Sequence, residues 1–121
     1  MFRSVFPIVT VRDIERSLRF YRDLLDGEVR FTFPPDGEPV YVSVTIGESP
    51  LGIGLDDQSE SVGTSVLWAY VDDVDAAVER LQAAGTPVLT PPEDQPWGER
   101  TARVADPDGN TVHLGQEAGE A

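Results

Sequence analysis

The chain writes one pattern twice. "VTVRDIERSLRFYRDLL", from Val9, superposes on "AYVDDVDAAVERLQAAG", from Ala69, when Val11-Arg12-Asp13-Ile14 is laid over Val71-Asp72-Asp73-Val74. Leu18 then falls on Val78 and Tyr21 on Leu81. In each copy an apolar run leads to an aspartate and then to apolar residues at three- and four-residue spacing. These are Ile14, Leu18, Tyr21 and Leu25 in the first copy, and Val74, Ala77, Val78, Leu81 and Ala84 in the second. The run reads as a strand and the spacing as an amphipathic helix. The aspartate is an N-cap, its side-chain oxygen accepting from the open N–H groups of the first turn. Gly85 supplies the second helix with a stop. A repeat of this length implies two copies of one supersecondary unit, and each apolar stripe requires a sheet to cover it.

Short extended segments after each helix supply those sheets. They are "EVRFTF", "VYVSVTI" and "LGIGL" in the first half, split by "PPDGEP" and "GESP". In the second they are "PVLT", "RTARVA" and "NTVHLG", split by "PPEDQPWGE" and "DPDG". Both halves read β-α-β-β-β, giving an α+β chain. The expected organisation is one domain over 1–121, with module 1 over about 4–57, a polar linker over about 56–63 and module 2 over about 64–116. The C-terminal "QEAGEA" reads as frayed.

Composition excludes several functions. A formal charge of −13, from 22 acidic and 9 basic residues, repels nucleic-acid phosphates and anionic membranes. It admits a cationic small molecule, although solubility alone accounts for such a surface. No apolar run approaches the ~20 residues that cross a bilayer, and "MFRSVFPIVTVRD" lacks the apolar stretch and cleavage site of a signal peptide. Without cysteine there is no disulfide, no thiolate metal site and no thiol nucleophile. The expectation is a cytoplasmic protein with neither nucleic acid nor membrane as partner.

Two motifs sharpen this. "VRDIERSLRFYRDLL" resembles the Val-x-Asp-x-x-x-Ser-x-x-Phe-Tyr opening of the vicinal oxygen chelate superfamily, the glyoxalase/bleomycin resistance protein/dioxygenase family. "WGERTARVADPDGNTVHL" resembles that family's Gly-x-Arg and Asp-Pro-Asp-Gly-Asn close. The resemblance runs from Phe6 to Gly115 and implies two tandem βαβββ modules forming a U-shaped mixed sheet around a cavity, often completed by a second subunit. A homodimer is therefore expected. Enzymes of the superfamily hold a divalent metal with His, Glu or Gln from four strand positions. Carried over, those positions fall on Phe6, on Val66, near Gly52 or Gly54, and on His113. Only His113 offers a donor, whereas a divalent site needs at least three. The expectation is no metal and no cofactor.

Within the superfamily, "DQPWGERTARVADPDGNTVH" is most similar to the bleomycin-resistance proteins, homodimers that sequester a glycopeptide antibiotic without altering it. The resemblance implies that Trp97 borders a ligand cleft, with Gln95, Pro96 and Gly98 shaping its loop; the alternative is a tryptophan packed beneath that loop. Strand alternation puts Val66, Trp68 and Tyr70 on one face; the resemblance makes Val66 a cavity-facing position and so implies that Trp68 and Tyr70, with Phe6 and Ile8, then Thr111, His113 and Gly115, line the cavity. Trp68 can equally fill space between sheets. Phe33 and Tyr41 flank a Pro-Pro-Asp-Gly loop that carries Asp36 and Glu38 and either borders the cleft or is a solvated turn. Arg100 either fixes its loop by pairing with a carboxylate or faces the cavity. His113 has no serine or second histidine to work with, so it reads as part of a binding wall, and no catalytic residue is assigned. Gly52-Ile53-Gly54 opens no helix and is not a dinucleotide loop.

The resulting expectation is a metal-free protein that binds a bulky natural product, cationic or polycyclic, and confers antibiotic resistance by sequestration. The alternatives are a lyase, isomerase or hydrolase of the same superfamily using His113 or a carboxylate, and a biosynthetic accessory protein that carries an intermediate.

Overall fold

Each helical stripe finds a four-stranded sheet. The computed structural model describes residues 1–118, so the last part of the "QEAGEA" tail lies outside the described residues. The chain divides into two compact units, Met1–Gly63 and a second that begins at Thr64. The first contains β1 (Ile8–Val11), α1 (Ile14–Leu18), a π-helical continuation (Arg19–Leu24), β2 (Glu28–Phe33), β3 (Tyr41–Ile46) and β4 (Ser49–Leu55). The second contains β5 (Val66–Tyr70), α2 (Val74–Ala83), β6 (Val88–Asp94), β7 (Arg100–Ala105) and β8 (Thr111–Gln116). Strand order is β1-β4-β3-β2 in one sheet and β5-β8-β7-β6 in the other. In each, the first strand pairs parallel with the last and the remaining pairs are antiparallel. These are two βαβββ modules in tandem.

Both helices start where the capping aspartates stand. Asp13 Oδ1 accepts from Arg16 N at 3.0 Å, and Asp73 Oδ1 accepts from Ala76 N at 3.1 Å. Gln116 Oε1, from β8, accepts from a further open donor, Val74 N, at 2.9 Å. At its other end α2 closes in a two-bond cap, Thr86 N to Leu81 O and Gly85 N to Gln82 O, each 3.0 Å, with Gly85 at φ +93. The first helix departs from the expected regular α-helix. After Leu18 its turns widen, Leu25 N donates to Phe20 O, and Phe20 joins Tyr21 inside, their rings edge to face at 4.9 Å.

One face of each sheet is covered by its own helix. In the first unit Val9, Val11, Val42, Val44 and Ile53 are buried with Ile14, Leu18 and Tyr21. In the second, Ala102, Val104, Val112 and Leu114 are buried with Val74, Val78 and Leu81. Each such Val, Leu or Ile side chain contributes about 1.5–3 kcal/mol.

Two segments differ from the sequence expectation. "PPED" was expected to be part of a turn but continues β6 to Asp94; as an edge strand, β6 tolerates Pro91 and Pro92, and its register is irregular between Val88 and Glu93. Phe6 precedes β1, which begins at Ile8, so strand alternation does not orient it.

The Asp-Pro-Asp-Gly-Asn motif is a buried clamp. Asp106 Oδ1 accepts from Asp108 N and Asn110 N at 2.9 and 2.8 Å, and its Oδ2 accepts from Asn110 Nδ2 at 2.8 Å. Asn110 Oδ1 then accepts from Ser65 N at 2.8 Å, and Thr111 N donates to Ser65 O at 3.1 Å. Asn110 is fully buried and Asp106 nearly so. Asn110→Ala strips partners from a buried carboxylate and a main-chain donor at once. It should cost about 2 kcal/mol, read as a lower urea midpoint at unchanged slope.

Candidate functional site

The face of the second sheet opposite α2 is the one that carries chemistry. The clamp sets β5 against β8 so that Val66 lies opposite Thr111, Trp68 opposite His113 and Tyr70 opposite Gly115. Leu67, Ala69, Val112 and Leu114 alternate toward the helix, which leaves Trp68, Tyr70, Thr111 and His113 on the uncovered side. Trp68 is 45 % exposed and Tyr70 57 %.

Glycine makes room for the indole. A Cβ on Gly115 would stand 2.7 Å from Trp68 Cζ2 and 2.9 Å from its Nε1, so the ring lies down over the β8 backbone. There it stacks on His113, centroids 5.4 Å apart and planes 13° from parallel, and meets Tyr70 edge-on at 5.7 Å. Three rings from two strands form one rigid wall.

Trp97 continues it. Gln95, Pro96, Trp97 and Gly98 form a turn closed by Gly98 N to Gln95 O at 3.0 Å, with Gly98 at φ +101, a conformation that suits glycine. Gln95 Nε2 anchors it to Thr101 Oγ1 at 2.9 Å. Arg100 resolves to the structural of its two readings: it pairs bidentately with Asp75 at 2.7 and 3.0 Å and with Asp94 at 3.0 Å, tying the base of the loop to the first turn of α2. Those two carboxylates hold the guanidinium above its ordinary range, and the Arg100 contact holds Asp75 below the usual carboxylate range. Trp97 is 61 % exposed rather than packed beneath its loop. Its Nε1 donates to Glu99 Oε1 at 2.6 Å. Tyr70, Trp97, Glu99, Glu117 and Ala118 line an open cleft of about 590 Å³. The Glu99 carboxylate, through a hydrogen bond and its charge and with Glu117 adding charge, pushes the Tyr70 phenol above its ordinary value.

The first unit presents a second aromatic face. Phe33 and Tyr41 are cross-strand partners, and Phe31 approaches Tyr41 at 6.3 Å. Tyr41 lies over Gly52, where a Cβ would stand 2.6 Å from its hydroxyl and 2.8 Å from Ile8. Phe31, Phe33 and Ile8 are exposed.

A match to the model of the Glyoxalase/Bleomycin resistance protein/Dioxygenase superfamily spans residues 4–114. The chain belongs to this superfamily. An uncharacterised protein of Mycobacterium tuberculosis (strain ATCC 25618 / H37Rv) is 31% identical, over 97% of this chain and 76% of its own length. Among solved structures, TnmS3, an antibiotic binding protein from Streptomyces sp. CB03234, superposes with a TM-score of 0.73 at 28% identity, covering 98% of this chain and 99% of that one. The fosfomycin resistance protein FosX from Listeria monocytogenes shares the fold, with a TM-score of 0.78 at 16% identity over 98% and 96% of the two chains.

The metal positions of the superfamily's enzymes do not fit a metal here. Phe6 and Val66 have no donor atom, and the space beside Gly52 is filled by Tyr41 and Ile8. His113 is the one donor among those positions, and among the described residues no three His, Asp or Glu side chains converge. No helix among them is long and apolar enough to cross a membrane.

Strand alternation grouped Trp68 with Tyr70, and the family resemblance set His113 on the same face. Glu99 and Glu117 were missed because their roles come from a turn and a strand end, where periodicity carries no signal. Replacing Glu99 with Gln removes the charge that disfavours the phenolate. In Glu99→Gln, Tyr70 should therefore ionise at lower pH than in the parent, followed by the Cζ resonance of Tyr70 in a tyrosine-labelled sample; an unchanged or higher midpoint would contradict this electrostatic assignment.

Proposed function

We propose that this chain binds a bulky natural product, cationic or polycyclic, and confers antibiotic resistance by holding it unaltered, acting as a metal-free homodimer in which both modules serve one domain. The observation that carries the reading is the Trp68 ring, laid over Gly115, stacked on His113 and left open on a wall that Tyr70 and Trp97 extend. A pre-ordered aromatic surface suits stacking of a planar ring system, and its rigidity lowers the ordering cost of binding. Glu99 and Glu117 supply negative charge where a ligand cation would meet the faces of Tyr70 and Trp97. TnmS3, which matches this chain over nearly its whole length, is an antibiotic binding protein. Dimerisation is supported by the number of exposed aromatic side chains, among them Phe31, Phe33, Trp68, Tyr70 and Trp97, since apolar patches of this kind commonly mark an interface or a binding surface.

Intrinsic fluorescence tests this directly, because the chain has two tryptophans and both belong to the proposed wall. Titration with planar and cationic antibiotic classes should change the emission of at least one class-specific complex. Trp68→Ala should weaken that complex about tenfold or more, the loss of one good aromatic contact and its buried area. Mass spectrometry of the recovered ligand should show it unchanged. A flat response to every class, or a product whose formation is lost in His113→Ala, would overturn sequestration.

A further inference from the structure

Three arginines of this acidic chain stand directly against carboxylates. Arg22 pairs with Asp23 and Glu15, Arg30 with Glu28, and Arg100 with Asp75 and Asp94. Arg103 is different. It stands in the middle of β7, between His113 on β8 and Thr90 on β6, and its neighbours Ala102 and Val104 are buried against α2. Alternation therefore puts Arg103 on the open face with His113 and Trp68. Its Nε donates to Thr90 Oγ1 at 2.9 Å, a neutral hydroxyl, and among the described residues no carboxylate pairs with it.

Register makes this a row. Trp68, His113, Arg103 and Thr90 are successive cross-strand neighbours over β5, β8, β7 and β6. With strands about 4.8 Å apart, Arg103 stands roughly 10 Å from Trp68, with His113 between them. That is the span of a fused two-ring system carrying one short substituent. The Thr90 bond fixes the guanidinium by one of its five N–H donors and leaves the others for a planar partner. A carboxylate matches that fork bidentately and meets the imidazole edge of His113 alongside.

We propose that Arg103 and His113 form an oxyanion subsite, which takes the carboxylate, or a similarly shaped acidic group, of a ligand whose rings lie on Trp68. This rests on the reading of the open face as a binding wall and adds what that reading lacks, an anionic substituent on the ligand. The net charge of the chain argues only for cations. The positive charge here is local, and a ligand contact within ~4 Å outweighs distant surface charge screened at ~0.15 M salt.

The test uses 2-naphthoate and 2-naphthamide, equal in ring and shape and differing in charge, titrated to about 10 mM because ligands of this size reach only millimolar affinity. The single histidine gives one unambiguous imaging point, the His113 ring signals in NMR, alongside the Trp68 indole signal. The expected result is that 2-naphthoate shifts both signals and binds about tenfold tighter than the amide. Arg103→Gln, at an exposed position and with an unchanged amide spectrum elsewhere, should remove that preference. Equal binding of acid and amide, or a preference that survives Arg103→Gln, overturns the oxyanion subsite and leaves the aromatic wall standing. No shift with either compound overturns both.

Discussion

Everything on the open face of the second sheet depends on a buried carboxylate–amide pair. Asp106 and Asn110 bond to each other, to the turn between them and, through Asn110 Oδ1, to Ser65 N just ahead of β5. Parallel strands such as β5 and β8 have no hairpin to fix their register, so it must come from elsewhere, and this clamp supplies it. Moving β5 by one residue relative to its two faces would turn Trp68 and Tyr70 toward α2 and bring Leu67 and Ala69 out. The interaction is made of polar groups that would each be costly to bury alone, which is why the motif works only when its members are present together.

The two modules show how one backbone plan is given different chemistry. Ile8 opposite Gly52 and Trp68 opposite His113 occupy matching places in the two registers. In the first module that place is apolar and capped by the Tyr41 hydroxyl; in the second it is a stack of two π-systems. Glycine recurs for the same steric reason in both. Gly52 and Gly115 each lack the Cβ that would push an aromatic ring off the strand, so each module presents a ring flat against its sheet.

Much of this was legible in the sequence because it follows from periodicity and from motifs. The Val-x-Asp starts placed both helix caps at Asp13 and Asp73, and the turn residues marked most strand limits. The misses have local physical causes. Pro91 and Pro92 read as turn formers, but an edge strand does not need their missing donors on both sides. Phe20 was passed over because the expected stripe assumed α-helical turns, and the widened turns after Leu18 bring it inside with Tyr21. Of the candidate site, alternation alone grouped Trp68 with Tyr70, and the family resemblance set His113 on the same face. Arg103 followed from the same rule once β7 was set beside β8, but cross-strand register is not written in any one segment. Arg100 was ambiguous for a similar reason: its partner Asp75 lies on another element.

Charge illustrates the same point about scale. A formal charge of −13 describes the field far from the chain, where it steers encounter and keeps copies apart. At contact distance the open face is not uniform. Glu99 and Glu117 stand by Tyr70 and Trp97 at one end, while Arg103 stands beside His113 further across the sheet. Between them lies the Trp68–His113 ring stack. A ligand that met this face would gain by opposing both signs in order, and a ligand of the reverse polarity would meet like charge at both ends. Aromatic stacking alone is tolerant of orientation and accepts many planar compounds. Placing opposite charges at the two ends of a stacking surface turns a tolerant wall into one that favours a single direction of approach, because each mismatch adds a repulsive contact to a lost attractive one.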